Sequence, residues 1–283
     1  MRSTQRLIGT FPPFTTVDLD GLELPEGLAI SGALEIARAL GRISGGEVLD
    51  VGTGRGDLID SLFAFLGGFT SFTGVDVDPG KLEKAREKLE GRPVRLLEMD
   101  GGRMDFADGS FDTVCISNSL HHLERVDVVL AEMYRVLRPG GTFIVQEMFS
   151  DGEQTPAQRT DIAIHHWGRS IDTLLGEFHA ETYTREGITS AVGGLGLRDL
   201  TSYETTHAVK CLLCEDRFKC EDPLEPEFVE NEVEGIERDL TRLEGVEDAG
   251  VRVGLAAEGR ALIERLRETG ATPASTLFVI GRR

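Results

Sequence analysis

The sequence predicts an α/β fold, a mostly parallel sheet with helices on both faces. Three observations carry that prediction. Short runs rich in β-branched and aromatic residues alternate with stretches of helical period. The helical stretches carry their own start and stop signals. The first strand-like run, "EVLDV", leads into "GTGRG", a loop of three alternating glycines where a parallel sheet presents its ligand edge.

The elements follow in order. Residues 47–51 form the first strand. Asp57 then stands as an N-cap ahead of Leu58, Leu62 and Leu66, which recur every four residues. "TSFTGVD" (70–76) is the second strand. "PGKLEKAREKLEG" (79–91) opens on proline and closes on glycine, as helices do. Strands follow at 93–98, 112–117 and 142–148, with a helix at 127–141 whose "RVLRPGG" ending turns the chain into the fifth strand. Four-residue helical steps between short strands argue for β-α-β units and hence parallel pairing.

Composition narrows the function classes. The chain has 283 residues, 40% of them hydrophobic, enough for one large domain or a domain with a subdomain. A net charge of −19 disfavours nucleic acid or an anionic membrane as partner, because like charges repel. No apolar run is long enough to span a bilayer. The first residues lack the apolar core of a secretory signal, and four cysteines imply no disulfide framework, so a cytoplasmic location is expected.

The glycine loop reads G-x-G-x-G, not the G-x-G-x-x-G of dinucleotide enzymes. Asp76 ends the second strand, where a carboxylate suits a pair of ribose hydroxyls. Either feature alone is also compatible with an ordinary turn; together they favour ribose binding.

Five ordered motifs go further: "VLDVGTGRGD", "GVDVDPGKLEKAR", "EMDGGRMDFADGSFDTV", "SNSLHHL" and "EMYRVLRPGGTFIV". Together, over residues 40–150, they resemble the class I S-adenosylmethionine-dependent methyltransferases, in particular the small-molecule type 11 branch. The resemblance implies a Rossmann-like, seven-stranded sheet with helical lid insertions. Its last strand is antiparallel, a part that 275–283 can play, with 195–204 as the sixth. It implies S-adenosyl-L-methionine as cofactor, S-adenosyl-L-homocysteine as product, and SN2 methyl transfer to a small-molecule acceptor. Asp50, Gly52, Thr53 and Gly54 match the loop that lies under the methionine part. Asp76 matches the ribose-binding acid, and Val77 the apolar neighbour of adenine. Asp100 matches the acid that reaches the adenine amino group, with the Gly101 amide towards the ring. Ser117 matches a contact at the methionine end. Gly101 departs from the family pattern, which has a bulkier residue there.

His121 and His122, after the fourth strand, are the candidate catalytic residues, and Glu147 is a further candidate base. Such a transfer can also proceed without a dedicated base, because positioning and water exclusion supply much of the acceleration.

The expected organisation is a cofactor-binding core at 1–149 and a lid insertion at 150–194. The last two core strands lie within 195–204 and 273–283, and a second helical insertion fills 205–272. In the lid, Ile164, Trp167, Ile171, Leu174 and Phe178 form an apolar stripe. Trp167 is expected to wall the acceptor pocket, with His165 or His166 meeting a polar group of the acceptor. His165, Asp172 and His179 recur every seven residues beside that stripe. On one straight helix they stand about 10.5 Å apart, too far for chelation, so they read as a polar lid edge and no metal site is expected. A helix break at Gly168-Arg-Ser would void that argument.

In the second insertion, Val229, Val233, Ile236, Leu240 and Leu243 follow the 4-3 spacing of a paired helix, with 256–270 as partner. This seam could cover the site or form a homodimer face. His207, Cys211, Cys214 and Cys220 offer either zinc-ligand spacing or ordinary free thiols. Two other functional classes stay open: a sensor or scaffold that binds the cofactor without turnover, and a nicotinamide oxidoreductase.

Overall fold

Alternation along each strand sends successive side chains to opposite faces, and this chain uses both. The computed structural model describes residues 31–206, 209, 212 and 222–283; His207, Cys211, Cys214 and Cys220 lie outside the described residues. The strands are β1 (Glu47–Val51), β2 (Ser71–Asp76), β3 (Val94–Glu98), β4 (Phe111–Ser117), β5 (Leu137–Met148), β6 (Arg198–Thr205) and β7 (Thr276–Arg282). They form one seven-stranded sheet in the order β3-β2-β1-β4-β5-β7-β6. β1 to β5 pair in parallel, while β7 runs antiparallel to both β5 and β6. Val48, Phe72, Cys115, Ile144 and Phe278 face one core. Their neighbours Leu49, Val75, Val114, Ile116, Phe143, Val145 and Val279 face the other.

Helices α1 (Ser31–Gly41) and α2 (Asp57–Phe65) cover the first of these faces. α4 (Val126–Val136) and α6 (Arg185–Gly193) cover the second. α3 (Pro79–Lys88) follows β2; Asp78 caps it by accepting from the Gly80 and Lys81 amides, with Pro79 inside the first turn. Two local expectations change. Gly56, not Asp57, is the N-cap of α2, since its left-handed backbone ends the loop and Asp57 is already helical. The fifth strand begins at Leu137: Phe111 pairs with Leu137 and Thr113 with Thr142, so "RPGG" bulges out of a strand and does not form a separate turn.

The remaining helices are α5 (Pro156–Leu174), α7 (Pro226–Arg242) and α8 (Ala249–Thr269). A capping box between Thr155 and Gln158 starts α5. The three helices share one apolar core built from Trp167, Ile171, Val233, Ile236, Leu243, Leu262, Ile263 and Leu266. Two insertions far apart in sequence therefore make a single helical cap. The 4-3 seam of α7 is taken up inside this chain, against α8 and α5, and its buried positions are not a dimer face. Trp167 is 2% exposed and its Nε1 donates to the Leu255 carbonyl at 2.9 Å. Gly259 admits the indole: a Cβ there would lie 2.5 Å from Trp167 Cζ2. Trp167 is thus the centre of the cap core and not a pocket wall, while Leu174 and Phe178, expected in the same stripe, are half-exposed.

Candidate active site

The carboxyl edge of the sheet holds a cleft of about 370 Å³. The loop between β1 and α2 forms its floor. Gly52, Gly54 and Gly56 all adopt left-handed backbone angles, φ +65°, +53° and +79°, which side chains with a Cβ rarely tolerate. A Cβ on Gly52 would also meet Ser119 Oγ at 2.8 Å, whereas one on Gly54 would meet no protein atom closer than 4.0 Å. Gly54 therefore leaves room on the side where a ligand can approach the main chain.

Two acids fasten this loop. Thr53 Oγ1 donates to Asp50 Oδ2 at 2.7 Å, and the Cys115 thiol donates towards Asp50 Oδ1 at 3.6 Å. Asp50 is fully buried, and that burial raises its pKa from 3.8 to about 7. The Gly54 amide donates to Asp76 Oδ2 at 2.7 Å and the Asp78 amide to Asp76 Oδ1 at 2.9 Å. Each Asp76 oxygen keeps lone-pair capacity towards the cleft.

The raised Asp50 pKa has a stability consequence. Between pH 4 and 7 the folded state keeps a proton that the unfolded chain has released, so stability from this group is full below about pH 4 and is lost as pH rises through 7. Asp50→Asn cannot ionise. Its melting temperature relative to wild type is expected to rise between pH 5 and pH 8; a pH-independent difference would contradict the buried carboxyl.

All nine residues expected to bind cofactor line the cleft: Asp50, Gly52, Thr53, Gly54, Asp76, Val77, Asp100, Gly101 and Ser117. Val77 is 65% exposed although apolar, which suits a surface that a flat ring would cover. Asp100 Oδ1 accepts from the Gly102 amide at 2.8 Å, orienting the carboxylate. The cleft also takes in Lys81, Met99, Ile116, Asn118, Ser119 and Leu123, which the sequence reading passed over. Met99 and Asn118 adjoin named residues, so adjacency was the available signal. Asn118 stands at φ +43°, a conformation asparagine tolerates better than most residues. An open glycine floor, free carboxylate lone pairs and an exposed apolar wall fit a nucleoside-bearing cofactor.

The histidines divide differently from expectation. His122 lines the cleft. His121 does not; it is 2% exposed, and its Nδ1 donates to Glu147 Oε1 at 2.7 Å. Glu147 is fully buried and also accepts from the Leu120 amide at 2.7 Å and the Met148 amide at 3.1 Å. His166 turns to Thr182 Oγ1, 2.7 Å away.

His165 and His179 are brought together, against the spacing argument. α5 ends at Leu174, Gly176 takes φ +85°, and the Glu177 amide donates to the Asp172 carbonyl at 2.9 Å. The chain doubles back, so His179 Nδ1 meets Asp172 Oδ2 at 2.7 Å and its Nε2 stands 3.2 Å from His165 Nε2. The break falls eight residues past the suspected Gly168. His121, His165 and His179 each offer a ring nitrogen within 4.8 Å of the others. Burial, with the adjacent His121 and His179 rings, lowers the His165 pKa to about 3, so it is neutral at pH 7.

Comparison with known proteins follows the same outline. Residues 49–145 match a family model described as a methyltransferase domain. A demethylmenaquinone methyltransferase of Thermus thermophilus is 40% identical over 103 residues, which are 36% of this chain and 46% of that protein. Another, of a Parafrankia species, is 36% identical over 148 residues, covering 46% of this chain and 57% of that protein. The chain thus spans about half the length of the curated relatives it matches. Among solved structures, a phosphoethanolamine N-methyltransferase of Haemonchus contortus, in complex with phosphomonomethylethanolamine and S-adenosylhomocysteine, shares the fold with a TM-score of 0.51 at 19% identity. That alignment covers 89% of this chain and 52% of the other. Among the described residues no helix is long and apolar enough to cross a membrane. Glycine loop, strand-end acids, sheet order and sequence matches point the same way: residues 49–145 are similar to a methyltransferase domain, set in a sheet with the methyltransferase-like Rossmann order.

Proposed function

We propose that the protein is a methyltransferase that binds S-adenosyl-L-methionine in the 370 Å³ cleft and methylates a small-molecule acceptor. The observation that carries the reading is the convergence on that one cleft of every residue the sequence motifs nominate for the cofactor. When bound, the cofactor supplies a methyl group on a sulfonium, which the acceptor takes by SN2 displacement with S-adenosyl-L-homocysteine as product.

The protein's own contribution is binding and orientation. Asp76 accepts from the ribose hydroxyls, Val77 packs on the adenine, and Asp100 with the Gly101 amide reads its edge. The loop at Gly52, Thr53 and Gly54 supports the methionine part together with Ser117. His122, at the cleft wall, is the histidine available to the acceptor side. The relatives' quinone substrates are not carried over, because the family model matches residues 49–145, the cofactor core, and does not reach the helical cap.

Calorimetry separates this reading from its rivals. S-adenosylmethionine is expected to bind and NAD to give no heat. A screen of metabolite pools with methyl-labelled cofactor is expected to yield a labelled small molecule. Binding of NAD alone would refute the reading, and cofactor binding without any labelled product would favour a sensor or scaffold.

A further inference from the structure

The histidine cluster has the construction of a metal site. Two ring nitrogens on one tetrahedral ion stand about 3.3–3.4 Å apart, given metal–nitrogen bonds of about 2.0–2.1 Å. The His165 and His179 Nε2 atoms are already 3.2 Å apart. His121 supplies a third ring nitrogen, all three lying within 4.8 Å. The longest edge needs to close by about 1.4 Å, within the reach of small side-chain rotations.

Two of the three rings are backed by carboxylates through Nδ1. Glu147 holds His121 and Asp172 holds His179, each at 2.7 Å. Such a bond places the proton on Nδ1 and leaves Nε2 as the lone-pair nitrogen, the carboxylate–histidine arrangement that orients metal ligands. Asp172 is itself held by the Arg242 guanidinium. The ligands come from three places in the chain: the turn after β4, the middle of α5, and the return segment after it. The Ala180 amide ties the last to the first by donating to the His121 carbonyl at 2.7 Å. A plain hydrogen bond between His165 and His179 accounts for one contact, but not for the convergence of a third imidazole or for two carboxylate supports.

We propose that His121, His165 and His179 bind a divalent first-row transition metal, zinc being the reference ion, and leave an open position for an oxygen donor of the methyl acceptor. Imidazole ligands select such ions over magnesium or calcium, which prefer oxygen. The open position is what three protein ligands leave on a four-coordinate ion. The His122 ring lies 4.2 Å from His179 and 4.3 Å from His121, centroid to centroid, and His122 also lines the cofactor cleft. An acceptor oxygen on the ion is therefore next to the cleft, where the ion orients it and lowers the pKa of a bound hydroxyl, whose proton passes to solvent as the oxygen becomes the nucleophile. The acceptor clause rests on the methyl-transfer reading; metal binding does not.

The test uses the full-length protein, stripped with a chelator and titrated with zinc and with cobalt(II), without cofactor or acceptor. One equivalent is expected to bind. His165→Ala and His179→Ala are expected to weaken zinc binding at least about 100-fold, and Asp172→Asn about 10- to 100-fold. Circular dichroism and the melting temperature serve as the folding check on each variant. Cys214→Ser is expected to keep the equivalent. Should a histidine variant not fold, the cobalt spectrum of wild type decides: the proposal requires a site without a thiolate-to-cobalt charge-transfer band. No stoichiometric binding, a thiolate band, or an equivalent that survives both histidine substitutions and disappears in Cys214→Ser would overturn it. Because neither cofactor nor turnover enters the titration, its failure is separate from failure of the methyl-transfer reading.

Discussion

Asp76→Ala is expected to lower S-adenosylmethionine affinity at least about tenfold. A hydrogen bond to a charged group contributes roughly 1.5–3 kcal/mol, and about 1.4 kcal/mol is a factor of ten. The substitution removes the acceptor proposed for the ribose hydroxyls. It also frees the Gly54 and Asp78 amides, which donate to Asp76 at 2.7 and 2.9 Å, so the glycine floor loses its tether to β2. Asp76→Asn separates the two roles. The amide oxygen can hold one backbone donor but lacks the charge, so affinity between those of wild type and the alanine variant is expected. Calorimetry on folded protein reads both. Unchanged affinity in Asp76→Ala would put the cofactor elsewhere.

Trp167→Ala is expected to destabilise the protein by about 3–5 kcal/mol, the usual cost of emptying a large aromatic site. The indole is 2% exposed in the core shared by α5, α7 and α8, with Gly259 shaped around it. The variant also leaves the Leu255 carbonyl without the donor it meets at 2.9 Å. Denaturant titration followed by circular dichroism measures the loss. Cofactor affinity is expected to change far less, since none of the cleft residues belongs to the cap. A loss under about 1 kcal/mol would contradict the packing. Because Trp167 is the single tryptophan, its fluorescence in the wild type reports unfolding of the cap. Deleting the helix outright would strip the face on which α7 and α8 pack, so a point substitution is the cleaner probe.

Much of the candidate cleft was legible in the sequence because its parts are local, while the roles of Val77, Asp100, Gly101 and Ser117 came from the family resemblance. Gly52 and Gly54 sit in the turn after β1, Asp76 is the last residue of β2 and Asp100 closely follows β3; in a parallel sheet those strand ends share one edge. Once "EVLDV", "TSFTGVD" and "PVRLLE" read as strands, their following residues had to meet. Lys81 was harder, because it reaches the cleft from the first turn of α3, where it reads as an ordinary surface lysine. The antiparallel β7 rested on family resemblance, since nothing in "STLFVIGRR" states its direction.

The sequence by itself determined the α/β sheet, the glycine floor and the acids around it, because strand period, left-handed glycine turns and caps are properties of a few adjacent residues. Only the tertiary structure decided the rest. Trp167 reads equally well as a pocket wall or a core residue, and the approach of α7 and α8 makes it core. The α7 seam could serve a second copy or this chain, and α8 claims it. His121 and His165 are separated by more than 40 positions, and the heptad spacing of His165 and His179 describes a straight helix that stops at Leu174. Helical period is a local rule that ends where the helix ends. Where the chain goes after Gly176 is set by the hydrogen bonds it finds there, to Asp172 and to the His121 carbonyl.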